Sequence, residues 1–271
     1  MASAKLPLNL AVLTNGISVS GTAWTIDDED ELARMVGRIF LGHFLHVEKI
    51  LQKLKPKHKM VDGQAAKEAK ARLVVKKGTE PWHRDGLVFQ SISWIAAHQA
   101  SVNKSSVFSL PHMIPAHKGF DGLEIEMTSK NKLHCLVIFE DKATENPRDM
   151  IRTSVWPDIE ALHGGQRQTE LMQELTALLQ RANVKDPDAI IETAVWKQIR
   201  KFRVSVTGAE GQDEQAEFDK LFKGFDAVTP GLDALAPRAE VFCHSDIRKW
   251  MKGFAVKISK AIDAEKAKSN V

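Results

Sequence analysis

Two cysteines, no C-x-x-C pair, no long apolar run and a formal charge of only +3 narrow the reading of this 271-residue chain before any motif does. Cys135 and Cys243 each lie in an apolar, strand-like run, where a free thiol behaves as a small core residue in a reducing compartment. Without paired cysteines at ligand spacing, a structural zinc site lacks its usual signature. No apolar run approaches the roughly 20 residues that span a bilayer, so no membrane partner is expected. The early apolar stretches are broken by Pro7, Asn9 and Asn15, which is not the pattern of a signal peptide, and a cytoplasmic location is expected. The small net charge does not predict nucleic-acid binding by itself, so any basic surface has to be local. There is no Gly-x4-Gly-Lys-Ser/Thr loop, which excludes a P-loop ATPase. Ser91, Ser105 and Ser106 lack the context of a nucleophile elbow. His112, His117, His134 and His163 match no metal-ligand spacing.

What is present is ordinary globular composition, 43% hydrophobic and 27% charged, with length for one large domain or two small ones. Short strands are expected around an Asn15-Gly16 turn. Thr25-Ile26-Asp27-Asp28 resembles a capping box. Apolar residues from Leu32 to Leu54 then recur at helical spacing, predicting one long helix that ends before Pro56. A basic patch, Lys53 to Lys59, and a polar helix over 64–75 follow, so residues 1–78 are read as an N-terminal extension or subdomain and 79–271 as the main domain. The helix beginning at Pro81 is apolar around most of its circumference and is expected to be buried on more than one face. Further helices are expected after Asn146-Pro147, where Pro157 should kink or end the helix, over 169–181 and 189–196, and at the end of the sequence, where Ser245 is the expected cap. Strands are expected at 199–206, with one basic face, and at 239–243.

The chemistry-bearing stretch is Gly119-Phe120-Asp121-Gly122-Leu123-Glu124-Ile125-Glu126 followed by Leu133-His134-Cys135-Leu136-Val137-Ile138-Phe139-Glu140-Asp141-Lys142. It reads as two strands joined by a polar turn over 128–131. The acid-x-lysine triplet alone says little, since Glu68-Ala69-Lys70 repeats it in a polar helical run. Position separates the two copies: Glu140-Asp141-Lys142 ends a run apolar enough to be a central strand. Period-two geometry puts Glu140 and Lys142 on one face and Asp141 on the other. A hairpin brings Asp121, at the start of one strand, beside the end of the next. Two carboxylates can hold Mg²⁺, with the Asp141 main-chain carbonyl as a third ligand. Lys142 can orient a water or stabilise developing charge. The competing reading is a solvated strand end with weak surface ion pairs.

These residues resemble the core motif of the PD-(D/E)xK, or restriction-endonuclease-like, nuclease superfamily. The resemblance covers roughly residues 80–206 and departs from the pattern at Phe120, which stands where proline usually precedes the first acid. It implies an α/β fold, a restriction-endonuclease-like core with a mixed central sheet flanked by helices, here with an N-terminal helical extension. It implies a Mg²⁺-dependent nuclease, with Mn²⁺ as a substitute, acting on DNA in preference to RNA and leaving 5′-phosphate and 3′-hydroxyl ends. Asp121, Glu140 and Lys142 would be catalytic, with Gln90 as an accessory group from the preceding helix or, equally, only a polar residue on a core helix. Arg148, Arg152, Arg200, Lys201 and Arg203 are candidate phosphate contacts, each otherwise a solvated charge. Stand-alone domains of this kind resemble bacterial anti-phage effectors. Apolar stripes on the helices at 27–54 and 245–268 could accordingly dock a helicase, an ATPase or a second copy, or pack on their own core. A binding or assembly module without turnover, on the same fold, is the alternative function.

Overall fold

The computed structural model describes residues 6–14, 19–57, 60–101, 105–114, 119–128, 132–184, 186–196, 199–232 and 238–268. The expected Asn15-Gly16 turn, Pro115, His117, the His58-Lys59 end of the basic patch and positions 129–131 of the hairpin turn lie outside them. The strands are β1 (Leu8–Thr14), β2 (Ser20–Ile26), β3 (Ser105–Phe108), β4 (Gly122–Met127), β5 (Leu133–Lys142), β6 (Arg200–Gly208) and β7 (Arg238–Cys243). They form one seven-stranded sheet in the order β1-β2-β7-β6-β5-β4-β3. β3, β4 and β5 are antiparallel neighbours, β5, β6, β7 and β2 run parallel, and β1 closes the far edge antiparallel to β2.

Helices cover both faces, which is why the inner strands are apolar on both sides. One face meets α1 (Glu29–Phe40), α2 (Phe44–Leu51), α3 (Gly63–Ala71), α4 (Trp82–Ala100) and α11 (Ile247–Lys268). The other meets α6 (Trp156–His163), α7 (Gln168–Arg181), α8 (Pro187–Trp196), α9 (Gln215–Leu221) and α10 (Phe225–Val228). Alternation along β5 serves both cores, with Leu136 and Ile138 on one side and Cys135, Val137 and Phe139 on the other. α4 is buried almost all round, as its apolar circumference predicts.

Several expectations need correction. The single helix over 27–54 is two, because Gly42 adopts φ +77°. The His43 N–H bonds the Arg38 carbonyl at 2.8 Å and the Gly42 N–H that of Ile39 at 2.9 Å, the hydrogen-bond pair of a Schellman cap. α1 is capped by Asp28, which accepts from the Glu31 N–H at 2.9 Å, not by Thr25. α11 starts after Asp246, whose carboxylate accepts from the Lys249 N–H at 2.9 Å, so Ser245 is not its cap. Of the two outcomes expected at Pro157, a kink or an end, the helix does not end there. α5 (Pro147–Met150) runs through a π-helical turn, Ile151–Val155, into α6. That wider turn accommodates the carbonyl a proline cannot bond. Residues 215–221 and 225–228, given no helix from the sequence, form α9 and α10.

Residues 1–78, read from sequence as an extension or subdomain, join the common sheet, in which β2 pairs with β7. The apolar stripes of α1 and α11 are buried: Leu32, Val36 and Ile39 share a core with Met251, Phe254, Ile258 and Ile262. They are therefore not free to dock a partner. Cys135 is buried and Cys243 half-buried, and both are free thiols. Among the described residues, no helix is long and apolar enough to cross a membrane.

Candidate active site

The antiparallel register of the hairpin pairs Gly122 with Phe139 and so sets Asp121 next to Glu140, the first residue beyond the apolar run of β5. α4 lies across this end of the sheet and offers Gln90 and Ser93 from adjacent turns of one face. The Gln90 amide donates to Asp121 Oδ1. The main-chain N–H of Asp141 donates to Asp121 Oδ2 at 2.7 Å. Lys142 Nζ is paired with Glu140 Oε1. The Ser93 hydroxyl donates to Asp141 Oδ1 at 2.7 Å. Asp121, Glu140, Lys142 and Gln90 are thus brought together, and Asp141 turns toward α4, as strand alternation requires.

Burial pushes Asp121 up to about 6, and the neighbouring Asp141 charge adds to the effect. Burial likewise takes Glu140 up to about 7, with the Asp121 charge acting in the same direction. Burial works against the Lys142 ammonium, but the charges of Glu140 and Asp121 more than offset it and raise its pKa. Asp141 is raised to about 6 by burial, despite Arg203 and the hydroxyls of Ser93 and Ser205. Two neighbouring carboxylates that resist ionisation form a donor set that a hard divalent cation fits, through Asp121 and Glu140.

The basic residues separate into different roles. Arg203 is 1% exposed and Arg200 4% exposed, so β6 has no exposed basic face and the expectation that these two contact phosphate is corrected. Arg203 lies under α4, bonded to Glu240, to the Ser93 hydroxyl at 2.7 Å, and 3.9 Å from Asp141. Its guanidinium also stacks 4.6 Å from the Phe139 ring centre. A buried arginine needs this many partners, because an unpaired buried charge costs several kcal/mol. Arg200 donates to the Leu162 carbonyl at 3.2 Å. Arg148 is committed to the Leu221 and Lys223 carbonyls at 3.0 and 2.9 Å, tying α5 to the end of α9. Arg152 stays exposed, 3.7 Å from Asp149, and Lys201 is half-buried.

A cleft of about 210 Å³ opens over Asp121 and Lys142, walled by Trp82, His83, His112 and Ile114. Sequence reading assigned none of these four to the site. His112 Nε2 lies 2.9 Å from the Phe120 carbonyl and so fastens the loop that delivers Asp121. Arg167, at φ +59° just before α7, places its guanidinium 4.4 Å from the Phe120 ring centre, within the electrostatic reach of Glu140. Its left-handed backbone is the uncommon conformation for a non-glycine residue. No local sequence pattern announces it, since Arg167 lies 27 positions after Glu140. No family model matches the chain, and no curated protein and no solved structure was found to match it.

Proposed function

We propose that the protein is a metal-dependent nuclease that hydrolyses phosphodiester bonds, in DNA before RNA, at the Asp121–Glu140–Lys142 corner. The observation that carries this reading is the convergence itself: β4–β5 register sets Asp121 beside Glu140 and Lys142, while Gln90 reaches Asp121 from α4. The order α4, β3-β4-β5 antiparallel, helices, then β6 parallel to β5 supports the resemblance to the PD-(D/E)xK superfamily. An effector role in anti-phage defence rests on that resemblance alone.

Asp121 and Glu140 would hold the metal. When bound, Mg²⁺ supplies polarisation of the phosphoryl oxygen and a more acidic water. The protein's own groups do the rest. Gln90 and the Asp141 N–H fix the Asp121 carboxylate in one orientation. Lys142 stays protonated near neutral pH and presents N–H donors to developing negative charge or to the attacking water. The Ser93–Asp141–Arg203 contacts hold the end of β5 from beneath, which limits the motion of Glu140 and Lys142.

The test is cleavage of plasmid and of labelled DNA and RNA strands with Mg²⁺, Mn²⁺ or EDTA. We expect metal-dependent cleavage that falls by roughly 10²-fold or more in Glu140→Ala and in Lys142→Ala, with unchanged circular dichroism. Full cleavage by a folded double variant would sink the mechanism. Strand binding without cleavage under any metal would mark the protein as a silent binding module instead.

A further inference from the structure

At the opposite end of the β4–β5 hairpin, Glu126, His134 and Cys135 offer a carboxylate oxygen, a ring nitrogen and a sulfur that all lie within 4.8 Å of one another. Adjacent strand residues ordinarily point to opposite faces, which should part His134 from Cys135. The pairing is irregular here. Glu126 stands opposite Cys135 and Met127 opposite Leu133, leaving His134 as the extra residue of a β-bulge. Bulges re-aim side chains, and this one brings the imidazole within reach of the thiol. Cys135 and Glu126 are buried, whereas His134 is exposed.

The immediate surroundings complete the arrangement. The Cys135 thiol donates to Glu126 Oε2 at 3.0 Å. Arg238 holds the other oxygen, Oε1, at 2.5 Å and Glu124 Oε2 at 3.1 Å. Glu124 is itself fixed by the Ser101 and Ser106 hydroxyls at 2.9 and 2.8 Å. One carboxylate oxygen is therefore oriented from behind while the other faces the sulfur, which is the outer-shell support that metal ligands use.

We propose that Glu126, His134 and Cys135 form a second metal site, selective for Zn²⁺, that pins the bulged end of the hairpin. Sulfur, imidazole and carboxylate together suit zinc and disfavour magnesium or calcium, which want oxygen. Three protein ligands leave a fourth, tetrahedral position for water, and exposed His134 puts that position at the surface. Zinc bond lengths of about 2.0–2.3 Å require the three donor atoms to close to about 3.5 Å, a contraction that an exposed imidazole can supply. As the sulfur–zinc bond forms, the Cys135 S–H bond breaks and its proton passes to solvent. Glu126 Oε2 gives up that hydrogen bond for the metal, and Oε1 keeps Arg238. Thiolate and carboxylate then balance the two positive charges of the ion. The site is independent of the nuclease reading, because none of its ligands touches Asp121, Glu140 or Lys142.

The experiment is titration of the metal-stripped full-length protein with Co²⁺ and then Zn²⁺. One equivalent of Co²⁺ should produce a thiolate-to-cobalt charge-transfer absorption that Zn²⁺ removes by displacement. Cys135→Ser should abolish the absorption, and Cys243→Ser should keep it. His134→Ala, at an exposed position where the fold has little to lose, should weaken Zn²⁺ binding by at least about tenfold in calorimetry. Absence of the absorption in the folded parent, its survival in Cys135→Ser, or unchanged Zn²⁺ affinity in His134→Ala would each overturn the proposal.

Discussion

Glu140 carries the sharpest tension in the molecule, a carboxylate that burial takes up to about 7 beside an Asp121 taken up to about 6. An acid whose folded pKa exceeds its unfolded value of about 4 holds more protons when folded, so its stabilising contribution is complete below about pH 4. That contribution is lost as pH rises through the folded values near 6 and 7. Glu140→Gln, which has no proton to lose, should match the metal-free parent near pH 4 and exceed it in stability at pH 8, by about 1–3 kcal/mol. Denaturant titrations of both proteins across this range would check it, and superimposable pH profiles would refute the linkage. Asp141, raised to about 6, contributes a decline that both proteins share. The acid-lysine triplet was legible in sequence because strand periodicity alone assigns its faces. The interior position of Arg203 is not legible for the same reason: periodicity places a side chain on a face but does not say what covers that face. Here α4 covers it, and Ser93 and Glu240 bind the guanidinium.

At the scale of elements, the parallel pairing of β2 with β7 depends on close backbone approach at Gly21, opposite Ala239. A methyl group built there would meet the Ala239 carbonyl oxygen at 1.7 Å and the Phe218 ring edge at 2.9 Å. One contact is with backbone and the other with a fully buried ring, so neither can yield cheaply. Gly21→Ala should therefore destabilise the protein by about 3 kcal/mol, at the upper end of overpacking costs, with the midpoint of urea unfolding as the readout. A midpoint unchanged from the parent would mean that the two strands part more readily than this packing allows. Helices with strong apolar stripes, such as α7 and α11, were legible because burial enforces their spacing. The break between α1 and α2 was not, because the apolar stripe continues across Gly42 and only the left-handed backbone interrupts it.

On the scale of the whole molecule, residues 1–78 supply the β1–β2 edge and, through α1 to α3, much of the packing around α11. Cutting the chain at 78 would bare the outer edge of β7 and the apolar faces of α4 and α11. Residues 79–271 expressed alone should bind a hydrophobic dye and lack a sharp thermal transition. A cooperative transition in that fragment would instead establish a second, independent folding unit. From sequence, residues 1–78 are either a subdomain or an extension packed on the core, and local pattern does not choose between the two. Strand pairing between β2 and β7, whose partners lie 218 positions apart, leaves no local trace, because hydrogen bonds of the backbone do not depend on which side chains it carries.

The sequence by itself determined the alternation of strands and helices, the buried character of β5 and the residues that can do acid and lysine chemistry, because each follows from local periodicity and residue type. Tertiary structure alone decided what surrounds those residues. The packing of α4 makes Gln90 a partner of Asp121 and Arg203 an interior cation, and one unpaired residue turns His134 toward Cys135. The α4 contacts join segments far apart in the chain, and the bulge rests on a strand register that local periodicity does not set.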